Sequence, residues 1–339
     1  MKPIVVVTGG AGYIGSHTVV ELQQSDYQVI IIDNFSNSDK NVIDAIEKIT
    51  GEKPLLAAFD LSDECQTRNF FASNHVDAII HFAAYKYVGE SVEQPLRYYR
   101  NNFFTTLNLL TAMKEQNIRH FVFSSSCTVY GEPDRLPVTE ETPIKPAICP
   151  YGNTKQVIEE ILSDVANVDK KLNIIALRYF NPIGAHHSAL IGERPNGVPQ
   201  NLLPYITQTA MGIRPCLSVY GNDYHTPDGT CLRDYIHVVD LAKAHVAAIE
   251  RMTNGKMSEN YEVFNVGTGK PTSVLEIINS FERVTGKKVP YKIVGRRSGD
   301  IEKVWADTKK INNVMGWKAA LTLDDMLLSA WKWEQTMQK

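Results

Sequence analysis

Short apolar runs alternate with amphipathic stretches along the first half of the chain. The runs are rich in β-branched residues, which is typical of strands buried on both faces of a parallel sheet. They predict strands over 4–7, 28–33, 55–60, 77–84 and 121–126. Helices are predicted between them, over 16–24, 40–49, 64–74 and 101–116. The alternation indicates the α/β class: a doubly wound parallel sheet with its ligand site at the carboxyl ends of the strands.

The second half of the chain is organised differently. After about residue 180 the regular alternation stops, and prolines and glycines crowd in. We therefore predict two domains: residues 1–180 hold the parallel sheet, and residues 181–339 form a smaller, loop-rich substrate domain. Later strands near 234–238 and 261–266 are expected to join the sheet of the first domain.

A glycine-rich turn directly follows the first predicted strand. Gly9, Gly12 and Gly15 give the pattern G-x-x-G-x-x-G, which differs from the G-x-G-x-x-G of many dehydrogenases. A strand, a glycine turn and a helix in this order place backbone N–H groups and a helix N-terminus against a pair of phosphates. The second strand ends at Asp33, which is placed to bind ribose hydroxyls and to repel a 2′-phosphate. The pattern predicts a dinucleotide site that prefers NAD to NADP.

A tyrosine and a lysine stand four residues apart after Pro150, at the predicted start of a helix. Tyr151 and Lys155 would lie one turn apart on the same face. A lysine ammonium nearby favours the phenolate and lowers the pKa of the phenol, so that the tyrosine can exchange a proton with a sugar hydroxyl. Ser126, at the end of the fifth strand, is expected to meet Tyr151 at the sheet edge. The alternative is a surface tyrosine and lysine that merely share a helix.

Composition narrows the possible functions. The chain has 339 residues, 43% of them apolar and 22% charged, with a net charge of -3, a balance that favours neither a nucleic-acid binder nor an acidic tail. No apolar segment approaches the length needed to cross a bilayer, and the first residues lack the anatomy of a signal peptide. The five cysteines are scattered without a CxxC pattern, which indicates reduced thiols in a cytoplasmic protein.

Three further positions can be interpreted from their neighbours in the sequence. His81 lies within an apolar strand and is expected to be a packed core histidine. His186 and His187 resemble a metal pair, but no further ligand falls at a suitable spacing, so we predict no metal site. Asp240 is expected to cap a helix over 241–251.

The glycine turn, the serine-rich strand end and the Tyr151-x-x-x-Lys155 motif together resemble the extended short-chain dehydrogenase/reductase family, whose fold is a Rossmann-like doubly wound sheet. Further stretches narrow the resemblance to the UDP-glucose 4-epimerases, also called UDP-galactose 4-epimerases. These stretches are 15–18, 81–91, 177–186 and 233–238. The resemblance covers essentially the whole chain.

The resemblance implies a role for each matching position. Tyr151 would be the acid/base, Lys155 would polarise it and orient the nicotinamide ribose, and Ser126 would assist. The cofactor contacts it implies are Gly9, Gly12, Tyr13, Ile14, Gly15, Asp33, Asn34, Phe35, Ser36, Asn37, Ser38, Asp60, Leu61, Phe82, Ala83, Ala84, Lys86, Asn101, Ser126, Tyr151, Lys155 and Phe180. The substrate contacts it implies are Ser126, Tyr151, Asn181, Asn201, Leu202, Tyr220, Arg233, Arg297, Asp300 and Val304. Arg233 and Arg297 are the expected diphosphate ligands, because a guanidinium fork suits phosphate oxygens.

The resemblance implies a reaction as well. It is the reversible, NAD-dependent interconversion of UDP-glucose and UDP-galactose at C4 of the hexose, through a transient 4-keto sugar, in galactose metabolism. One alternative is a nucleotide-sugar 4,6-dehydratase on the same fold, although Ser126-Cys127-Thr128 stands where such enzymes carry a Thr-Asp-Glu run. Another is a non-catalytic NAD-sensing protein, although such proteins commonly lose the tyrosine or the lysine.

Two finer expectations also rest on the resemblance. Val304 stands where glucose-specific members often carry a bulky tyrosine, and a smaller side chain would leave room for the acetamido group of UDP-GlcNAc and UDP-GalNAc. Family members commonly pair through the helices around 101–116 and 151–162, so a homodimer is expected.

Overall fold

The computed structural model describes residues 2–297 and 300–338. Its strands lie where the apolar runs are, and most are short. The strands are β1 (Ile4–Thr8), β2 (Gln28–Ile32), β3 (Leu55–Ala57), β4 (Ala78–His81), β5 (His120–Ser124), β6 (Asn173–Tyr179), β7 (Asn181–Ile183), β8 (Leu217–Tyr220), β9 (Leu232–His237), β10 (Tyr261–Val266), β11 (Pro271–Ser273), β12 (Tyr291–Val294) and β13 (Lys303–Val304).

The helices fall mainly between these strands. They are α1 (Tyr13–Gln24), α2 (Asn41–Thr50), α3 (Glu64–Ser73), α4 (Val88–Glu93), α5 (Pro95–Gln116), α6 (Pro150–Val168), α7 (Leu202–Ala210), α8 (Val238–Thr253), α9 (Val274–Thr285), α10 (Lys309–Met315) and α11 (Leu323–Met337). A short 3-10 helix spans Cys127–Tyr130. Within residues 2–297 and 300–338, no helix is long and apolar enough to cross a membrane.

Seven strands in the described residues form one parallel sheet in the order β10-β6-β5-β4-β1-β2-β3. Chain order reverses between β1 and β4, because β1 pairs with β2 on one side and with β4 on the other. In open parallel sheets the crevice at such a reversal is where ligands bind. The α/β, Rossmann-like fold class predicted from the sequence is confirmed.

Each strand of this sheet sends alternate side chains to opposite faces. Val5 and Val7 pack in one core beneath α1, α2 and α8, whereas Val6 packs in a second core beneath α3, α5 and α6. Both faces are therefore covered, which explains why the strands read as continuous apolar runs. Pro95 and Pro150 begin α5 and α6, a position where proline's missing N–H costs no helical hydrogen bond.

The two later strands predicted from the sequence belong to different sheets. β10 pairs with β6 and extends the large parallel sheet. The strand expected near 234–238 is present as β9, but the expectation that it joins the large sheet is wrong: β9 pairs with β7, β11 and β13 in a separate small sheet. A third apolar core joins this small sheet to α7, α9 and α11.

The predicted role of Asp240 is also wrong. Helix α8 begins at Val238, and its N-cap is His237, whose ring nitrogen accepts a hydrogen bond from the backbone N–H of Val239. The Asp240 carboxylate instead accepts hydrogen bonds from the backbone N–H groups of Ala320 and Leu321, at 2.9 and 2.8 Å. It therefore fastens the segment before α11 to the start of α8.

Candidate active site

A cavity of about 610 Å³ opens over the carboxyl ends of β1, β2 and β4, where the strand order reverses. Most of the cofactor contacts predicted from the sequence line it. They are Gly9, Gly12, Tyr13, Ile14, Gly15, Asp33, Asn34, Phe35, Ser36, Asn37, Ser38, Asp60, Leu61, Phe82, Ala83, Ala84, Lys86, Asn101, Tyr151 and Lys155. The structure therefore brings together residues from six separate parts of the sequence in one groove.

The glycine turn is packed too tightly for side chains. Gly9 has φ +67°, and a Cβ there would lie 2.9 Å from the backbone nitrogen of Ala83. A Cβ on Gly15 would lie 2.2 Å from the carbonyl oxygen of Gly9. Helix α1 starts at Tyr13 with Gly12 as its N-cap, and glycine offers no side chain to cover the helix end. A bare helix N-terminus therefore faces the groove, which suits a pyrophosphate.

Asp33 organises the loop beside this turn. One carboxylate oxygen accepts a hydrogen bond from the backbone N–H of Ala11 at 3.0 Å. The other accepts from the backbone N–H of Phe35 at 2.9 Å and from the hydroxyl of Ser38 at 2.8 Å. The carboxylate thus holds the glycine turn and the loop after β2 together, at the place where the sequence predicts a ribose.

Tyr151 and Lys155 lie on the first turns of α6, and both are buried. The Lys155 ammonium donates a hydrogen bond to the carbonyl oxygen of Ser124 at 2.7 Å and lies 6.0 Å from the centre of the Tyr151 ring. Burial lowers the pKa of Lys155 to about 7, although the Glu159 carboxylate opposes that shift.

The expected lowering of the Tyr151 pKa is not what the structure gives. Burial raises the pKa of Tyr151 well above its ordinary value, and the hydrogen bond with the Ser126 hydroxyl offsets only part of that rise. The physical reason is the loss of solvent around the phenol, and the lysine ammonium donates its hydrogen bond to the Ser124 carbonyl. The tyrosine alone is thus a neutral phenol, and a phenolate needs further positive charge in the groove.

A buried ion pair supports the serine-rich end of β5. Arg178 on β6 and Glu159 on α6 are 2.5 Å apart, with side chains 6% and 5% exposed. Glu159 also accepts a hydrogen bond from the hydroxyl of Ser125. Because Ser125 lies between the lysine-binding carbonyl of Ser124 and Ser126, this pair fixes the backbone beside Tyr151.

The predicted substrate contacts gather at a second location, around the small sheet. Arg297 donates to Asp300 at 2.7 and 3.1 Å and lies over the ring of Tyr220, with 5.5 Å between the guanidinium carbon and the ring centre. Arg233 on β9 lies 4.0 Å from Asp300. Arg233 also lowers the pKa of Cys127 against the dominant effect of burial, so this cluster is electrostatically close to the residue after Ser126.

The remaining predicted positions lie around these two places. Val304 is in register with Arg233 and packs with Phe180 in a buried apolar cluster that Cys127 borders. Asn181 is the first residue of β7, opposite Tyr235. Asn201 is the N-cap of α7 and Leu202 is its first residue. His81, predicted as a core histidine, is buried between the hydroxyls of Thr8 and Thr106, at 2.7 and 3.2 Å.

Comparison with known proteins identifies the family. The family model described as GDP-mannose 4,6 dehydratase matches residues 6–329. The chain is 48% identical over 337 residues to UDP-glucose 4-epimerase of Dictyostelium discoideum, covering 98% of this chain and 97% of the relative. It is 48% identical over 332 residues to the Bacillus subtilis enzyme of the same name, covering 98% of this chain and 97% of the relative. The chain belongs to the UDP-glucose 4-epimerase family.

Solved structures agree. UDP-glucose 4-epimerase from Bifidobacterium longum, crystallised with NAD+ and UDP, matches with a TM-score of 0.94 at 48% identity, covering 98% of each chain. The Stenotrophomonas maltophila enzyme, with bound NAD and formylated UDP-arabinopyranose, matches with a TM-score of 0.96 at 47% identity, covering 99% of each chain. The resemblance to UDP-glucose 4-epimerases drawn from the sequence is confirmed.

Part of this family member's groove was missed by the sequence reasoning. Tyr179 lines the cavity, and its hydroxyl accepts a hydrogen bond from Ser124 at 3.0 Å. Leu190, residues 192–196 and Trp333 form another part of the wall, although they come from the second half of the chain. The sequence places this proline- and glycine-rich region in the substrate domain, whereas the structure also puts residues 192–196 on the wall of the cavity. For Trp333, nothing in the local sequence signals a role at the groove.

Proposed function

We propose that this chain is an isomerase that interconverts UDP-glucose and UDP-galactose by reversible, NAD-dependent epimerisation at C4, through a transient 4-keto sugar. The observation that carries the proposal is the position of Tyr151 and Lys155 on one wall of the groove that begins at the glycine turn. A proton-transferring pair beside a dinucleotide site suits removal of a proton and a hydride from the same carbinol carbon.

The groove fits NAD at each end. The uncapped start of α1 and the glycine turn offer backbone N–H groups to a pyrophosphate, and no Cβ obstructs them. Asp33 and Ser38 would bind the adenosine ribose, Asp60 and Leu61 would border the adenine, and Lys155 would bind the nicotinamide ribose. A nicotinamide held there would supply the hydride acceptor and donor that epimerisation at C4 of the hexose needs.

The protein's own groups move the proton and hold the substrate. Tyr151 takes the proton of the 4-hydroxyl and later returns it, with Ser126 sharing a hydrogen bond with the phenol. The pKa of the buried phenol is raised and must fall for this step. The positive charge of Lys155 would lower it, and a bound NAD+ would add to that charge. Arg233 and Arg297 would anchor the diphosphate, which leaves the hexose free to present either face. Asn181, Asn201, Leu202, Tyr220, Asp300 and Val304 would complete the substrate pocket.

The rival dehydratase reaction requires an acid beside C6 of the hexose. Here the residue after Ser126 is Cys127, and burial raises the pKa of its thiol to about 12. Such a thiol is a weak acid at neutral pH and a poor substitute for a carboxyl group. The test is to incubate the purified protein with UDP-galactose and NAD and to identify the products by NMR. UDP-glucose supports epimerisation, a 4-keto-6-deoxy product indicates dehydration, and unchanged substrate favours the NAD-sensing alternative.

Assembly and compartment are also proposals. Exposed apolar side chains on and beside α5 support a homodimer, among them Leu96 (82% exposed), Phe104 (46%) and Leu107 (41%). The cysteines of the described chain are free thiols, which supports a reducing, cytoplasmic compartment. The division into 1–180 and 181–339 remains a proposal, supported by the separate apolar cores of the large and small sheets. Light scattering of wild type and Leu96→Asp tests the homodimer. Cell fractionation tests the compartment, and limited proteolysis tests the division into two domains.

A further inference from the structure

The segment 190–196, here called the strap, crosses from the second half of the chain to the cofactor side of the groove. It begins beside the bridge between Ala185 and Gly192 and the hydrogen bond from His186 N–H to the Ile191 carbonyl, at 3.1 Å. Its far end reaches the loop after β2. There the Arg194 guanidinium pairs with the Asp39 carboxylate.

A second contact joins the strap to the same loop. The Asn196 side-chain amide donates to the side-chain oxygen of Asn37 at 3.3 Å. Asn37 and Asp39 line the cavity where the adenosine ribose is expected. The strap therefore bridges the two rims of the groove over the adenosine half of the site.

Helix α11 contacts the strap through Trp333. The indole N–H of Trp333 on α11 donates to the carbonyl oxygen of Glu193 at 2.8 Å. Gly192 lies directly against the indole, since a Cβ there would be 2.5 Å from the ring. Such close packing fixes the position of the strap relative to α11.

The centre of the strap is a largely buried carboxylate. The Glu193 side chain is 13% exposed and lies 3.8 Å from the Lys86 ammonium on the cofactor wall. It also accepts a hydrogen bond from the side-chain amide of Asn201, the N-cap of α7. Burial raises the pKa of Glu193, and both partners oppose that shift, as expected for a carboxylate placed to receive them.

We propose that Trp333, Glu193 and Arg194 are positioning residues that hold the strap across the groove and thereby slow the escape of bound NAD. The proposal rests on the proposed function, because an epimerase regenerates its cofactor in each cycle and has no need to exchange it. Closing a groove with contacts that must break before the ligand leaves acts mainly on the dissociation rate.

The experiment follows exchange of the cofactor rather than catalysis. Holoenzyme is mixed with excess NAD carrying a deuterated nicotinamide, and bound label is measured over time by mass spectrometry after gel filtration. We expect exchange at least about tenfold faster in Trp333→Ala, corresponding to about 1.4 kcal/mol, and about two- to fivefold faster in Arg194→Ala, where an exposed ion pair is lost. Trp333→Phe, which keeps an aromatic ring but loses the indole N–H and part of the packing, should fall between Trp333→Ala and wild type.

Arg283→Ala is the matched control. Arg283 also pairs with an aspartate, Asp324, and its side chain is 61% exposed, close to the 60% of Arg194, but neither partner lines the cavity. It should exchange NAD at the wild-type rate. The KM for UDP-galactose and the thermal midpoint of the NAD-free protein should change little in Arg194→Ala.

The outcomes separate the two proposals. Faster exchange in the strap variants and not in Arg283→Ala supports the strap. NAD exchange at the wild-type rate in both Arg194→Ala and Trp333→Phe overturns the proposal about the strap and leaves the assignment of the NAD site intact. These two mild substitutions keep the test valid if Trp333→Ala fails to fold. A wild-type protein that neither contains nor takes up NAD overturns the cofactor assignment, and the strap with it.

Discussion

The Lys155 ammonium lies 6.0 Å from the centre of the Tyr151 ring, one helical turn further along α6. Its hydrogen bond goes to the carbonyl oxygen of Ser124, which ends β5. The two side chains therefore lie on the same wall of the groove, and the hydrogen bond of the ammonium goes to the backbone rather than to the phenol. Both residues line the cavity, which is compatible with the proposed role of Lys155 in binding the nicotinamide ribose.

Replacing Tyr151 by phenylalanine should abolish epimerisation and spare cofactor binding. Removal of the proton-transferring group is expected to lower kcat by about 10²–10⁴-fold. The NAD content, measured by chromatography of the nucleotide released on denaturation, should equal that of wild type. Tyr291→Phe, at a tyrosine that is 44% exposed on β12, is the control and should be fully active. Near-normal turnover in Tyr151→Phe would refute the catalytic assignment.

Replacing Glu159 by glutamine should destabilise the fold strongly. The change leaves the buried Arg178 guanidinium without its anionic partner, a loss that typically costs about 3–5 kcal/mol. The control is Glu282→Gln, because Glu282 pairs with Lys288 at 2.6 Å, where the lysine side chain is 87% exposed. That variant should lose less than about 1 kcal/mol. The measurement is the free energy of unfolding in urea, and equal losses in the two variants would contradict the account.

Acidification should destabilise the protein through buried neutral histidines. Burial lowers the pKa of His17 and His81 to about 3 and that of His237 and His245 to about 4, from an ordinary value of 6.5. Between those values the unfolded chain binds more protons than the folded chain, so stability is lost as the pH falls from about 6.5 to 4. Each such histidine contributes about 1.4 kcal/mol per pH unit over that interval.

One substitution isolates the contribution of His17. Its Nδ1–H donates to the carbonyl oxygen of Tyr13 at 2.7 Å, a bond that an asparagine amide can replace. His17→Asn should therefore flatten the fall of the urea midpoint between pH 6.5 and 4.5, whereas His75→Asn, at a histidine whose side chain is 76% exposed, should not. Parallel pH profiles for wild type and His17→Asn would show that His17 is not one of the groups responsible.

Val304 should determine whether N-acetylated sugars are accepted. It is 4% exposed and lies in the cluster with Phe180 that borders Cys127. We expect wild type to interconvert UDP-GlcNAc and UDP-GalNAc, and Val304→Tyr to lose that activity by more than about tenfold relative to UDP-galactose, because a larger ring fills the space of the acetamido group. The rates are compared by chromatography of the nucleotide sugars. No turnover of the N-acetyl pair by wild type would remove this activity.

Local patterns predicted the large sheet well, because its strands are buried on both faces and its helices have one apolar side. Boundaries were less accurate: α1 begins at Tyr13 rather than at 16, and α5 begins at Pro95 rather than at 101. In both cases the first turn contains residues that carry little of the apolar periodicity.

Local sequence patterns could not predict contacts between residues that are far apart in the chain. The partners of β9 are up to 71 positions away in the chain, as between Arg233 and Val304, and periodicity does not identify them. Asp240 has the residue type of a helix cap, yet its carboxylate binds backbone N–H groups about 80 residues later. The contact of Trp333 with Glu193 and the burial that raises the pKa of Tyr151 are likewise products of tertiary packing.

The most direct test of the central claim is a coupled assay with UDP-galactose and no added NAD. The purified protein is given UDP-galactose, and UDP-glucose is detected as it forms. The account predicts turnover, because Tyr151 and Lys155 border the groove that we propose retains NAD through each cycle. Absence of UDP-glucose, both without and with added NAD, would contradict it.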